Sequence, residues 1–131
     1  MKIPLLDLKA EYNFLKTDIN RQLKSLFLTQ EWILGPKVAE LEKKISKYLG
    51  TSETIALASG TDALVLSLQA IAQIKKKKPC FDSRDEIITT PFTFVATGES
   101  ILRSGAKPVF VDIDPKTYNI DPSQIKKAIN K

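Results

Sequence analysis

Three short runs rich in apolar and β-branched residues, Thr54–Ala58, Glu86–Thr90 and Lys107–Asp114, are separated by stretches of helical period, and this alternation constrains the fold class more than any other feature. A strand that returns to its sheet through a helix runs parallel to the one before it, because a tight turn reaches only an antiparallel neighbour. The sequence therefore predicts an α/β architecture, a mainly parallel sheet flanked by helices, with no internal repeat.

The helical stretches are one-faced. Tyr12, Leu15, Ile19, Leu23, Leu26 and Phe27 recur at helical spacing and predict a helix over residues 10–28, whose apolar face must pack on something. After the bend Trp32-Ile33-Leu34-Gly35-Pro36, a second helix follows through Val38, Leu41, Ile45, Tyr48 and Leu49, with Gly50 as its stop. Thr61-Asp62 opens a helix so apolar, through Ala63, Leu64, Val65, Leu66, Leu68 and Ile71, that packing on most sides is expected. Thr93 to Arg103 suits a further helix, and Asp121 caps a last one from Pro122 to Ile129. Lys75–Lys78, Pro79 and Cys80–Ser83 read as a basic, periodless loop.

With no His among 131 residues, His-based triads and His-ligated metals are excluded, and no metal site is expected. Cys80 is the one cysteine, so an intramolecular disulfide is impossible, and the chain reads as an inhabitant of the reducing cytoplasm. No stretch approaches the roughly 18 apolar residues of a membrane span, and Met1-Lys2-Ile3-Pro4-Leu5-Leu6-Asp7 meets an acid before a signal-like core develops. The net charge of +5 invites a nucleic-acid reading. The Lys75–Lys78 run, however, has neither interleaved aromatics nor a basic helix face beside it, and a solvated loop explains it better.

In open parallel sheets, ligands sit beyond the carboxyl ends of the strands. After the first run stands Ser59-Gly60-Thr61-Asp62-Ala63. Its glycine and hydroxyls at a helix start offer free N–H groups and a positive dipole end to an anion, although on local pattern alone Ser59 and Thr61 do no more than cap the helix. It is not a Walker loop. After the second run, Thr90-Pro91-Phe92-Thr93-Phe94 supplies aromatics that could stack on a flat ring or serve as ordinary core. After the third, Asp112 and Asp114 could bind a polar ligand, or mark a solvated strand end and cap the Asp114-Pro115 turn.

In register, these stretches resemble the amino-terminal part of the DegT/DnrJ/EryC1/StrS family of PLP-dependent sugar aminotransferases, in the aspartate aminotransferase superfamily. The resemblance rests on Ile3-Pro4-Leu5, Trp32–Val38 with Tyr48-Leu49-Gly50, Ser59–Leu64, Thr90–Thr97, and Pro108–Asp114 with Thr117–Asp121. It implies that residues 1–131 form a single, incomplete domain, the first part of a fold-type-I large domain, with residues 75–85 a loop insertion that leaves the site alone. It further implies that Gly60 and Thr61 hold the phosphate of pyridoxal 5'-phosphate and that Phe94 stacks on its pyridine ring. The Trp32–Gly35 turn would lie near the active site and the partner of a homodimer. Phe92, Asp112 and Asp114 keep their structural readings.

Transamination also needs a lysine amine to hold the cofactor and shuttle the proton, and an acid at the pyridine nitrogen. In the family both follow the motifs seen here, so no catalytic residue is assigned, and these residues alone are not expected to transaminate. By the resemblance the first strand lies across the sheet from the other two, so Thr54–Ala58 should lack a neighbour. Weak stability, aggregation or dependence on another chain are expected. Three functional readings stand at this point. One is the amino-terminal piece of an enzyme moving an amino group from an amino acid, glutamate, to a nucleotide-linked keto-sugar, with a complementing carboxy-terminal chain as a partner. The second is a non-catalytic remnant that keeps a phosphate pocket or pairs with another aminotransferase chain. The last is a small nucleic-acid-binding domain.

Overall fold

A computed structural model describes residues 5–130, so Ile3 and Pro4 of the opening motif and the terminal Lys131 lie outside the described residues. The chain gathers into two compact units, Met1–Ala56 and Leu57–Lys131.

The first unit is helical. Helix α1, Leu8–Thr29, starts at Asp7, whose carboxylate accepts the Ala10 N–H at 3.0 Å, and ends at Gln30 in the left-handed region with φ 57°. Its expected apolar face is present but buries nothing: Phe27 is 60% exposed. Helix α2, Pro36–Leu49, begins with proline in its first turn and stops at Gly50, whose φ of 70° suits a residue without Cβ. The segment predicted as the first strand is a correction. Thr54–Ala58 pairs with no strand among the described residues, and Ile55 is 77% exposed. Side chains of α2 hold its start instead: Glu42 accepts the Ala56 N–H at 2.8 Å, and Ser46 and Thr54 share a hydroxyl bond of 2.8 Å.

The second unit carries the sheet. Helix α3, Gly60–Lys76, is followed by β1, Glu86–Thr89, then α4, Ala96–Arg103, β2, Lys107–Phe110, and α5, Pro122–Ala128. Strands β1 and β2 run parallel in the register Glu86↔Lys107 through Thr89↔Phe110, with α4 as the crossover, which is the expected α/β connection. The ladder continues briefly where the Val111 N–H donates to the Thr89 carbonyl at 2.9 Å. Helix α4 packs on both strands and on α3. The core is small: Val65, Ala72, Ala96, Ile101 and Ala106, with the hydroxyls of Ser100 and Ser104 bonded to carbonyls of their own turns.

Two further expectations need correction here. Helix α3 is as apolar as predicted but is not packed on most sides. It buries only Val65 and Ala72 and exposes Leu64, Leu66, Ile71 and Ile74, because a sheet of two strands has too little area to cover it. Lys75 and Lys76 are not loop but the last turn of α3, where cations meet the negative end of the helix dipole. Among the described residues no helix is long and apolar enough to cross a membrane.

Candidate functional site

The amino end of α3 is built by a reciprocal pair. The Asp62 N–H donates to the Ser59 hydroxyl at 3.1 Å, and that hydroxyl donates back to the Asp62 carboxylate at 2.8 Å. The spacing S-x-x-D is close to a capping box and is legible in the sequence. The Ala63 N–H reaches the Ser59 carbonyl at 3.0 Å, while the N–H groups of Gly60 and Thr61 have no partner among the described residues. Gly60 is exposed, and a Cβ there would meet nothing within 4 Å. Two free donors at a positive helix end, with open space before them, suit an oxyanion or phosphate. Asp62 contributes a negative charge to the same turn, and its bond to Ser59 directs the serine proton away from an incoming anion.

Phe94 lies in the connection after β1. This connection is held by Phe92 N–H to Thr90 Oγ1 at 3.2 Å, by Thr93 N–H to the Pro91 carbonyl at 3.0 Å, and by a 3.0 Å bond between the Thr93 and Thr97 hydroxyls. The Phe94 ring is 76% exposed and, with Val95, Gly98, Leu102 and Phe110, lines an open cleft of about 580 Å³. A large exposed aromatic held by polar turns is available for stacking rather than committed to the core. Phe110, at the end of β2, was missed in the sequence because it reads as one more apolar residue of a strand.

The structural reading of Phe92 as core is overturned: it is exposed and its ring lies 5.8 Å from that of Tyr118, which sits in the left-handed region with φ 59°. Asp114 caps its turn as expected, accepting the Lys116 N–H at 2.7 Å. Asp112 is exposed and accepts the Ile113 N–H at 2.8 Å. Helix α3, which Gly60 and Thr61 open, and helix α4, which follows Phe94, pack on each other, but no hydrogen bond links these residues among those described.

The profile of the DegT/DnrJ/EryC1/StrS aminotransferase family matches residues 13–131. The chain belongs to this family. Among curated proteins, it is 44% identical, over its whole length, to a pleiotropic regulatory protein of Geobacillus stearothermophilus, and covers 33% of that protein. It is 39% identical over 97% of its length to the UDP-2-acetamido-2-deoxy-3-oxo-D-glucuronate aminotransferase of Pseudomonas aeruginosa, again covering 33% of it. Among solved structures, it superimposes on a DegT/DnrJ/EryC1/StrS aminotransferase from Brucella abortus with a TM-score of 0.83 at 35% identity, over 98% of this chain and 32% of that one. The structure of NtdA from Bacillus subtilis with bound cofactor PMP gives a TM-score of 0.86 at 35% identity, over 98% of this chain and 28% of that one. The chain thus spans about a third of the curated relatives it matches, and its fold is the amino-terminal part of a fold-type-I aminotransferase.

Proposed function

We propose that these residues form the first part of the large domain of an enzyme that transfers an amino group from an amino acid, glutamate, to a nucleotide-linked keto-sugar. The single observation that carries the reading is the family match over residues 13–131, within which the α3 start keeps two free N–H donors. The Gly60 and Thr61 N–H groups would hold the phosphate of pyridoxal 5'-phosphate, and the exposed Phe94 ring would lie against its pyridine ring. When bound, that cofactor supplies a carrier for the amino group and a ring that takes up electrons. The chain's own part is to bind and orient: the helix end fixes the phosphate, and the aromatic face orients the ring. By family resemblance, the lysine and the acid that complete the chemistry belong to the part of the relatives beyond the matched third. In this reading residues 1–131 are one partial domain, residues 75–85 an insertion, the complete enzyme a cytoplasmic homodimer, and nucleic acid no partner.

The test is a chimera in which this chain replaces the matching first third of the Pseudomonas aeruginosa relative. Amino transfer from glutamate to a UDP-linked 3-keto sugar, weakened by Thr61→Pro, is the expected result. A soluble chimera that holds the cofactor but transfers no amino group would overturn the reaction assigned. One that holds no cofactor would overturn the binding role of Gly60, Thr61 and Phe94.

A further inference from the structure

Asp85 stands one residue before β1 and joins three parts of the second unit. Its carboxylate accepts from Lys76 Nζ at the end of α3 and from the Asp82 N–H at 3.0 Å. Its carbonyl accepts the Lys107 N–H at the start of β2 at 2.8 Å, and its own N–H donates to the Asp82 carbonyl at 2.9 Å. The carboxylate is only 18% exposed, and the Lys76 ammonium beside it holds it below the usual range. The same turn is fastened to the α4–β2 connection by Phe81 N–H to the Ser104 carbonyl at 2.9 Å. The segment from Lys77 to Asp85 is therefore a built strap rather than a slack insertion.

Apart from this strap, α3 is held by its seam with α4. The two helices are in contact, with Val65 and Ala72 buried on α3 and Ala96, Ser100 and Ile101 buried on α4, and no hydrogen bond crosses between them among the described residues. Short side chains resist separation but leave shallow ridges, which oppose sliding and rolling weakly. A 17-residue helix is a rigid rod of about 25 Å, so a shift at Lys76 is carried to Gly60.

We propose that Asp85 is a positioning residue: by locking the carboxyl end of α3 to the sheet, it sets where the amino end presents the Gly60 and Thr61 N–H groups. This rests on the cofactor reading above and deepens it.

The test is hydrogen exchange resolved along α3 in the full chain, with and without pyridoxamine 5'-phosphate, whose amine cannot condense with surface lysines. Lys76→Met and Asp85→Asn are expected to speed exchange at Leu64–Leu68 about threefold, and Lys76→Arg to restore it. Protection of the first turn of α3 should need about threefold more ligand in Lys76→Met than in the parent. Amides of the β1–β2 ladder report global unfolding; if Asp85→Asn raises their exchange, the Met and Arg variants at Lys76 decide. Unchanged exchange at Leu64–Leu68, or identical behaviour of Met and Arg, overturns the proposal. Protection of parent and Lys76→Met at the same ligand concentration overturns the positioning role and leaves the cofactor reading standing. Protection of neither, with α3 still loosened, overturns the cofactor reading and leaves the lock at Asp85.

Discussion

The carbonyl oxygen of Phe81 occupies the space that a Cβ on residue 105 would need. Gly105 has φ 91°, and any built Cβ there would overlap that oxygen and approach the Phe81 carbonyl carbon at 3.0 Å. Gly105→Ala is therefore expected to destabilise the second unit by about 1–3 kcal/mol, combining an unfavourable backbone with displacement of the strap. Urea denaturation followed by circular dichroism measures it; a midpoint equal to the parent's would show that the strap yields at no cost.

Ala72, on α3, is fully buried. Ala72→Leu should cost about 1–3 kcal/mol, because at a site without exposure three added carbons must displace their neighbours. Leu66→Ala, on an exposed part of the same helix, should fall within about 0.5 kcal/mol of the parent. Thermal melts of the pair separate packing from helix propensity.

Four carboxylates in the second unit lie below their ordinary values in the folded chain. Asp82 is held well down by Arg84, Asp85 by Lys76, Glu86 by Lys107 and Asp121 by Ser123. A depressed carboxylate binds fewer protons folded than unfolded. Its stabilisation is thus complete above the unfolded value, 3.8 for Asp and 4.5 for Glu, and is lost as pH falls through the lower folded value. Stability should be flat at neutral pH and decline progressively below pH 4.5, with Arg84→Gln shrinking the part that belongs to Asp82. Denaturant midpoints across that window give the slope, and a rise in stability on acidification would contradict the assignment.

Phe94 separates a binding role from a structural one. At 76% exposure, its replacement by Ala should change stability by no more than about 0.5 kcal/mol. The same change should weaken pyridoxamine phosphate binding by about twofold to tenfold if its ring stacks as proposed. Calorimetric titration beside a melt reads both; loss of stability with unchanged binding would make Phe94 a structural residue.

Much of this arrangement is legible in the residues. The periods of α1 and α2, the Gly50 stop, the Asp121 cap and the parallel pairing of β1 with β2 all follow from local chemistry. Thr54–Ala58 forms no strand because β propensity has meaning only beside a partner, and the described residues hold none for it, as the resemblance implies. Lys75 and Lys76 mislead, since a charge run looks like a loop until the dipole of the preceding helix is considered. At the candidate site, Ser59, Gly60 and Thr61 could be read from cap chemistry. The exposure of Phe92 and the reach of Asp85 depend on which elements come together, which single-residue patterns do not encode.

Ser100 and Ser104 keep their hydroxyl bonds within their own helix, on the Thr97 and Ile101 carbonyls at 2.9 and 2.7 Å. Among the described residues no hydrogen bond crosses from α4 to α3 either, so the contact between them makes a demand of shape rather than of chemistry. Each helix is free to diverge in sequence without a matching change in the other, provided volume is kept, and a foreign helix of the same contour could be grafted into the place of α3 without rewriting α4.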